Sequence, residues 1–126
     1  TIFNRSEVVG RPLAVMMSND GATVYSFDEF GPLLYRGGQA EETNISREQA
    51  LASSNVVITG VPSKAFPKID AHELNANTVC LNFATVKNFT AEAEQQAQTF
   101  IPRVGPVTIA MCMRNTLRLY HAYQKK

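Results

Sequence analysis

The sequence predicts an α/β fold, a doubly wound parallel sheet with helices on both faces. Three observations lead there. Short apolar stretches rich in β-branched and aromatic residues recur along the chain. Segments with helical spacing or helix-start chemistry stand between them. Strands that alternate with helices in this way pair in parallel, with both faces of the sheet covered. The 126 residues suffice for one domain and one core.

The elements follow in order. Thr1–Asn4 ends a strand; "TIF" reads as one already in progress, so the chain is expected to be a fragment cut inside its first strand. Arg5–Gly10 is a turn. Pro12 suits a first helical position, and Leu13, Met16 and Met17 recur at helical spacing up to Asn19-Asp20-Gly21. Thr23–Phe27 is a strand. Residues 29–45 are polar, carry Gly31, Pro32, Gly37 and Gly38, and read as a long loop; "YRGGQ" within them has no preceding strand and is no phosphate cradle. Ser46-Arg47-Glu48-Gln49 fits a capping box before a short helix. Val56–Thr59 is a strand stopped by Gly60-Val61-Pro62.

Ile69–Asn75 is a helical turn or a loop, and Thr78–Phe83 is a strand. Thr90 caps "AEAEQQAQ", whose early glutamates suit the helix dipole. Phe100 and Ile101 form a last short strand. A long final helix follows Val104-Gly105-Pro106. Ile109, Met113, Leu117 and Tyr120 mark one face of it, and Arg114, Arg118, Lys125 and Lys126 lie towards its end.

Composition bounds the function. Twelve basic against eleven acidic residues give +1, so charge makes no case for nucleic acid or an anionic membrane surface. No apolar run reaches the ~20 residues of a membrane span, and a signal peptide is not expected. Cys80 and Cys112 sit in apolar stretches and read as buried, reduced thiols. Neither His72 nor His121 has an acidic or cysteine partner at useful spacing, so surface roles are expected and no metal ligand is assigned.

Ligands of doubly wound sheets bind beyond the carboxyl ends of the strands. That singles out Asn4–Gly10, Asp28, Gly60–Pro62, Ala84–Lys87 and Val104–Thr108. The order strand, tight turn, helix, strand, acid suits a dinucleotide. Gly10 can let helix N–H groups approach a pyrophosphate, with Arg5 and Ser6 adding a cation and a hydroxyl. Asp28, eighteen residues on, can accept both hydroxyls of an adenosine ribose and repel a 2′-phosphate, which favours NAD over NADP. Asp28 serves equally well as a cap for the following turn, Gly10 as a packing device, and Arg5 as a solvated charge.

Two longer motifs add a resemblance. "NRSEVVGRPLA" at Asn4–Ala14 resembles the G-R-S-x-x-V-G-x-P motif of the methylenetetrahydrofolate dehydrogenase/cyclohydrolase family. "VGPVTIAMCMRNTL" at Val104–Leu117 is similar to its V-G-P-M-T-x-A-x-L-x-x-N-T motif. The resemblance covers essentially the whole chain, but only the C-terminal half to two-thirds of a member. Three departures stand out: Asn4-Arg5-Ser6 for Gly-Arg-Ser, a shortened Pro102-Arg103-Val104-Gly105-Pro106, and Asn82-Phe83-Ala84 for Asp-Val-Gly. With Asp28 they look closest to the fungal monofunctional NAD-dependent form.

The resemblance implies a Rossmann-like NAD-binding domain over residues 1–126. It implies a partner substrate, 5,10-methylenetetrahydrofolate, held by an N-terminal domain not in this chain, so no catalytic residue is named. The cofactor set it implies is Asn4, Arg5 and Ser6 at the adenosine ribose and phosphates, with Gly10 from the turn. Asp28 takes the ribose hydroxyls, and Gly60, Val61 and Pro62 the cofactor's middle. Ala84 and Thr85 lie near the nicotinamide ribose, and Gly105 and Thr108 at the nicotinamide end. Thr108 is offered to the carboxamide, with a helix first-turn role as its alternative, and Asn115 is expected to anchor the last helix. A cytoplasmic location is expected, and a homodimer stays open. A bifunctional NADP-dependent enzyme and a non-catalytic nucleotide-binding module are the rival readings.

Overall fold

The computed structural model describes residues 1–124. Seven strands form one sheet: β1 (Ile2–Phe3), β2 (Val24–Asp28), β3 (Gly31–Arg36), β4 (Gln39–Glu42), β5 (Val56–Thr59), β6 (Val79–Asn82) and β7 (Thr99–Ile101). Their spatial order is β4-β3-β2-β1-β5-β6-β7. The five strands from β2 to β7 in that order pair in parallel. β2 lies on one side of β1 and β5 on the other, so the chain reverses direction across the sheet there. In open α/β sheets this switch point is where ligands bind.

Helices α1 (Gly10–Asn19), α2 (Arg47–Ser53) and α3 (Ala91–Gln96) cover the sheet. Successive strand residues point to opposite faces, which makes two cores. Ile2, Val24 and Ile58 pack with Ala14 of α1 and with Tyr35. Phe3, Val57 and Cys80 pack on the other face with Leu51 of α2, Ala93 of α3, Ile69, Leu74 and Phe89. The caps form as the sequence specifies. Ser46 and Gln49 exchange both bonds of a capping box, and the Thr90 hydroxyl accepts from the Ala93 N–H. α1 begins two residues before Pro12, still within the first turn, where a missing N–H removes no helical bond. Ile69–Asn75 holds a single 3-10 turn, Ala71–Glu73.

Three expectations need correction. Residues 29–45 are not a loop. They carry β3 and β4, which extend the parallel sheet antiparallel at one edge. Gly37 and Gly38 have φ of 54° and 79°, the left-handed pair that closes a two-residue hairpin.

The final helix, α4 (Gly105–Tyr123), forms as expected, but its apolar face is uncovered among the described residues. Ile109, Met113, Leu117 and Tyr120 are 64, 64, 60 and 55% exposed. Asn115 anchors no backbone there; its carbonyl accepts only from Arg114. Lys125 and Lys126 lie outside the described residues.

Cys80 is buried as expected, and burial pushes its thiol up to about 11. Cys112 is exposed on α4, whose residues are exposed along its whole length.

Candidate functional site

Parallel pairing sets the carboxyl ends of β1, β2, β5, β6 and β7 along one edge of the sheet. Every segment singled out from the sequence therefore opens on that edge. Two clefts lie there. One, of about 520 Å³, is lined by Asn4, Asp28, Gly60, Val61 and Pro62, with Phe3, Phe27, Arg47 and Phe66 behind them. The other, of about 1090 Å³, is lined by Phe83, Ala84, Thr85, Gly105 and Thr108, with Val9, Leu13 and Leu81.

Asn4 organises the switch point. Its Oδ1 accepts from the Ser6 N–H and hydroxyl at 3.0 and 2.8 Å, and its Nδ2 donates to the Gly60 carbonyl at 2.9 Å. One side chain thus ties the end of β1 to the end of β5. Ser6 caps the start of α1. Its Oγ accepts from the N–H groups of Val9 and Gly10, and its carbonyl from that of Arg11. The helix N–H groups expected to face a pyrophosphate are therefore largely engaged. No described residue accepts from the N–H groups of Glu7 and Val8, one turn earlier.

Gly10 is needed for packing. Its φ is not positive, and a methyl group there would overlap the Asn4 carbonyl. The side-chain-free face of Gly10 thus points at the end of β1, so the packing alternative describes it. Gly60 is used in the same way, since a methyl group would collide with the Phe83 ring. Phe83 stands over Gly60 and lines the larger cleft, while Gly60 lines the smaller.

Arg5 and Asp28 are partners. Asp28 Oδ2 lies 2.9 Å from Arg5 Nη1, with the side chains 21% and 8% exposed. Asp28 Oδ1 accepts from the Phe30 N–H at 2.8 Å. Arg5 Nη2 donates to the carbonyls of Ser26 (2.6 Å) and Gly31. Arg5 is thus neither a solvated charge nor a cation free for phosphates: it buttresses the β2–β3 turn. Asp28 both caps that turn and presents a carboxylate at the cleft rim. The formal charge expected to repel a 2′-phosphate is largely neutralised by its partner. Arg5 Nε and Ser26 Oγ are buried without a hydrogen-bond partner.

Loops at the ends of β5 and β6 are held by asparagines that carry no sequence pattern. Buried Asn82 accepts from the Thr59 hydroxyl and donates to the carbonyls of Ala84 and Val86, which shapes the loop bearing Ala84 and Thr85. Buried Asn88 exchanges two bonds with the backbone of Val61, each of 3.0 Å. Arg47 secures the outer wall of the smaller cleft. Its guanidinium lies 5.4 Å from the Phe66 ring centre and bonds Glu73 and the carbonyls of Pro67 and Lys68. Asn88 and Arg47 are not legible as functional in the sequence, and Asn82 shows there only as a departure from the family's Asp-Val-Gly. Thr108 shows its alternative role, with its hydroxyl donating to the Val104 carbonyl at 3.0 Å, which leaves only its lone pairs for a ligand.

No protein-family model matches the chain. Among individual proteins, it is 43% identical over 127 residues to "Methylenetetrahydrofolate dehydrogenase [NAD(+)]" of Dictyostelium discoideum, covering 96% of this chain and 40% of that protein. It is 41% identical to the protein of that name from Saccharomyces cerevisiae, over 94% of this chain and 40% of the relative. The "Bifunctional protein FolD" of Mycoplasma capricolum is 30% identical over 132 residues and 44% of its length. The solved structure of the NAD-dependent 5,10-methylenetetrahydrofolate dehydrogenase from Saccharomyces cerevisiae superimposes with a TM-score of 0.88 at 38% identity. That match covers 98% of this chain and 44% of the other. The chain spans about 40% of the length of the first two relatives. In sequence and in fold, nearly the whole of this chain is similar to one part of these methylenetetrahydrofolate dehydrogenases.

Proposed function

We propose that this chain is the NAD-binding part of a 5,10-methylenetetrahydrofolate dehydrogenase. The observation that carries the reading is Asp28, which ends β2 with a partly exposed carboxylate at the rim of a cleft on the sheet's switch edge. The residues present fit NAD. Asp28 can accept the adenosine ribose hydroxyls, with Arg5 holding the carboxylate in place. Val61, Pro62 and Phe66 offer an apolar slot for a flat base. The N–H groups of Glu7 and Val8 remain free for a diphosphate. Ala84, Thr85, Gly105 and Thr108 share the wider cleft, where the nicotinamide end would lie.

NAD, when bound, supplies the hydride acceptor at nicotinamide C4. A hydride taken from the methylene bridge of the folate would leave 5,10-methenyltetrahydrofolate. This chain's own residues supply alignment. They hold the cofactor rigidly enough for a donor carbon to reach one ring face, which is a large share of such catalysis. The folate-binding residues belong, on this reading, to a part of the enzyme outside these 126 residues. The same reading puts the protein in the cytoplasm and keeps a homodimer open; fractionation and sedimentation test those two points.

The rival is a bifunctional NADP-dependent dehydrogenase/cyclohydrolase, which the FolD relative keeps in view. Against it, a 2′-phosphate would have to displace the Asp28 carboxylate from Arg5. Turnover of the whole polypeptide with each cofactor decides. NAD is expected to be preferred at least about tenfold, or ~1.4 kcal/mol; equal efficiency with NADP would refute the proposal.

A further inference from the structure

We infer that Asn88 is a positioning residue for the cofactor, whose buried amide fixes Val61 in the wall of the smaller cleft before any ligand arrives. This deepens the proposed function and rests on the cleft being the NAD site.

The geometry is that of a strand pair made by a side chain. The Val61 N–H donates to Asn88 Oδ1 and Asn88 Nδ2 donates to the Val61 carbonyl, both at 3.0 Å. Asn88 is only 1% exposed, so water does not compete for either bond. Val61 is the residue after Gly60, where β5 has ended and the next strand ladder has not begun. Its backbone groups have no other described partner, and a buried unpaired amide is costly. Asn88 thus supplies what the sheet stops supplying at the ligand edge.

The same residue closes the loop at its other end. Its carbonyl accepts from the Ile69 N–H at 2.8 Å, and the Ile69 carbonyl accepts from the Thr90 N–H at 2.9 Å. Residues 61–69, which carry Val61, Pro62 and Phe66, are therefore pinned at both ends to residues 88–90. Asn82, six positions earlier, holds the start of that connection through Ala84 and Val86. One segment between two buried asparagines thus joins the walls of both clefts.

A wall that is set in advance spares the ligand the free energy of ordering it. Releasing it makes the competent arrangement a minority state and weakens binding by that fraction. Asn88→Asp keeps the shape and the acceptor for the Val61 N–H, but sets an oxygen against the Val61 carbonyl. The test is isothermal titration of NAD, and of AMP as a probe of the adenosine side, into the whole polypeptide that carries this sequence. Wild type is compared with Asn88→Asp and with Leu74→Ala, a core truncation outside the cleft. Asn88→Asp is expected to raise both dissociation constants about tenfold, the loss if a tenth of molecules stay competent. Leu74→Ala is expected to lower Tm and leave them unchanged.

Hydrogen exchange on ligand-free wild type gives a second reading that needs no variant to fold. The Val61 amide is expected to exchange slowly before NAD is added. Wild-type affinity in Asn88→Asp, or a Val61 amide protected only once NAD binds, would overturn the inference alone. Absence of NAD binding by wild type would instead overturn the proposed function beneath it.

Discussion

Replacing Asp28 by Asn removes one charge and little else. The Asn carbonyl can still cap the Phe30 N–H, but the Arg5 guanidinium loses its counter-charge at 2.9 Å. Breaking a buried pair from one side costs ~3–5 kcal/mol, and a hydrogen bond to a charged group contributes ~1.5–3 kcal/mol. Arg5 is 8% exposed but keeps the carbonyls of Ser26 and Gly31, and Asp28 is 21% exposed. The cost therefore falls in the upper part of the lower range, at ~2–3 kcal/mol. For a chain of this size that lowers Tm by roughly 10 °C. On the proposed function, the cofactor effect runs in two directions. NAD loses a charged acceptor and binds about tenfold more weakly or worse, while NADP meets an unpaired guanidinium and binds more tightly. Calorimetric titration of both cofactors into both proteins, with a thermal melt of each, reads the outcome. A double-mutant cycle with Arg5→Met should give a coupling of at least ~1.5 kcal/mol. An unchanged NAD-to-NADP ratio, with a Tm shift no larger than an ordinary surface substitution gives, would refute the reasoning.

Two further predictions follow from the packing. Gly10→Ala drives a methyl group into the Asn4 carbonyl, so it should destabilise by ~1–3 kcal/mol or more, with NAD affinity close to wild type in whatever folds; weakened NAD binding at an unchanged Tm would show that Gly10 touches the ligand after all. Alkylation at pH 8 should label Cys112 and spare Cys80, whose thiol burial holds near 11 and stays protonated until the fold opens; mass spectrometry in buffer and in denaturant checks it, and equal labelling of both in buffer would contradict the structure.

Much of the fold was legible because its signals are local. Alternating apolar strands and capped helices placed β1, β2, β5, β6, β7 and all four helices. β4 escaped because Gln39–Glu42 is exposed throughout and shows no apolar alternation, and β3 because it opens on Gly31-Pro32, which read as loop. Gly37-Gly38 carried the hairpin signal all the same, and the loop reading passed over it. The stripe on α4 was legible as apolar, but periodicity cannot say what covers a face.

The site was legible as a set of strand ends, since a parallel sheet brings those together wherever they lie in sequence. Side-chain partners were not. Arg5 meets Asp28 across twenty-three residues, and Asn88 meets Val61 across twenty-seven. A lone arginine or asparagine in a loop carries no spacing that announces its partner. Gly10 was legible as a glycine that something requires; only the structure shows that the requirement comes from Asn4.

The central claim is that NAD lies along the carboxyl edge of the sheet. Amide hydrogen exchange of the whole polypeptide with and without NAD tests it most directly. The account predicts slowed exchange at Glu7 and Val8, around Asp28, at residues 60–62, at Ala84 and Thr85, and at the start of α4. Protection confined to the opposite edge, where Thr23, Ser54, Asn55 and Val56 line a separate cleft of about 590 Å³, would contradict it.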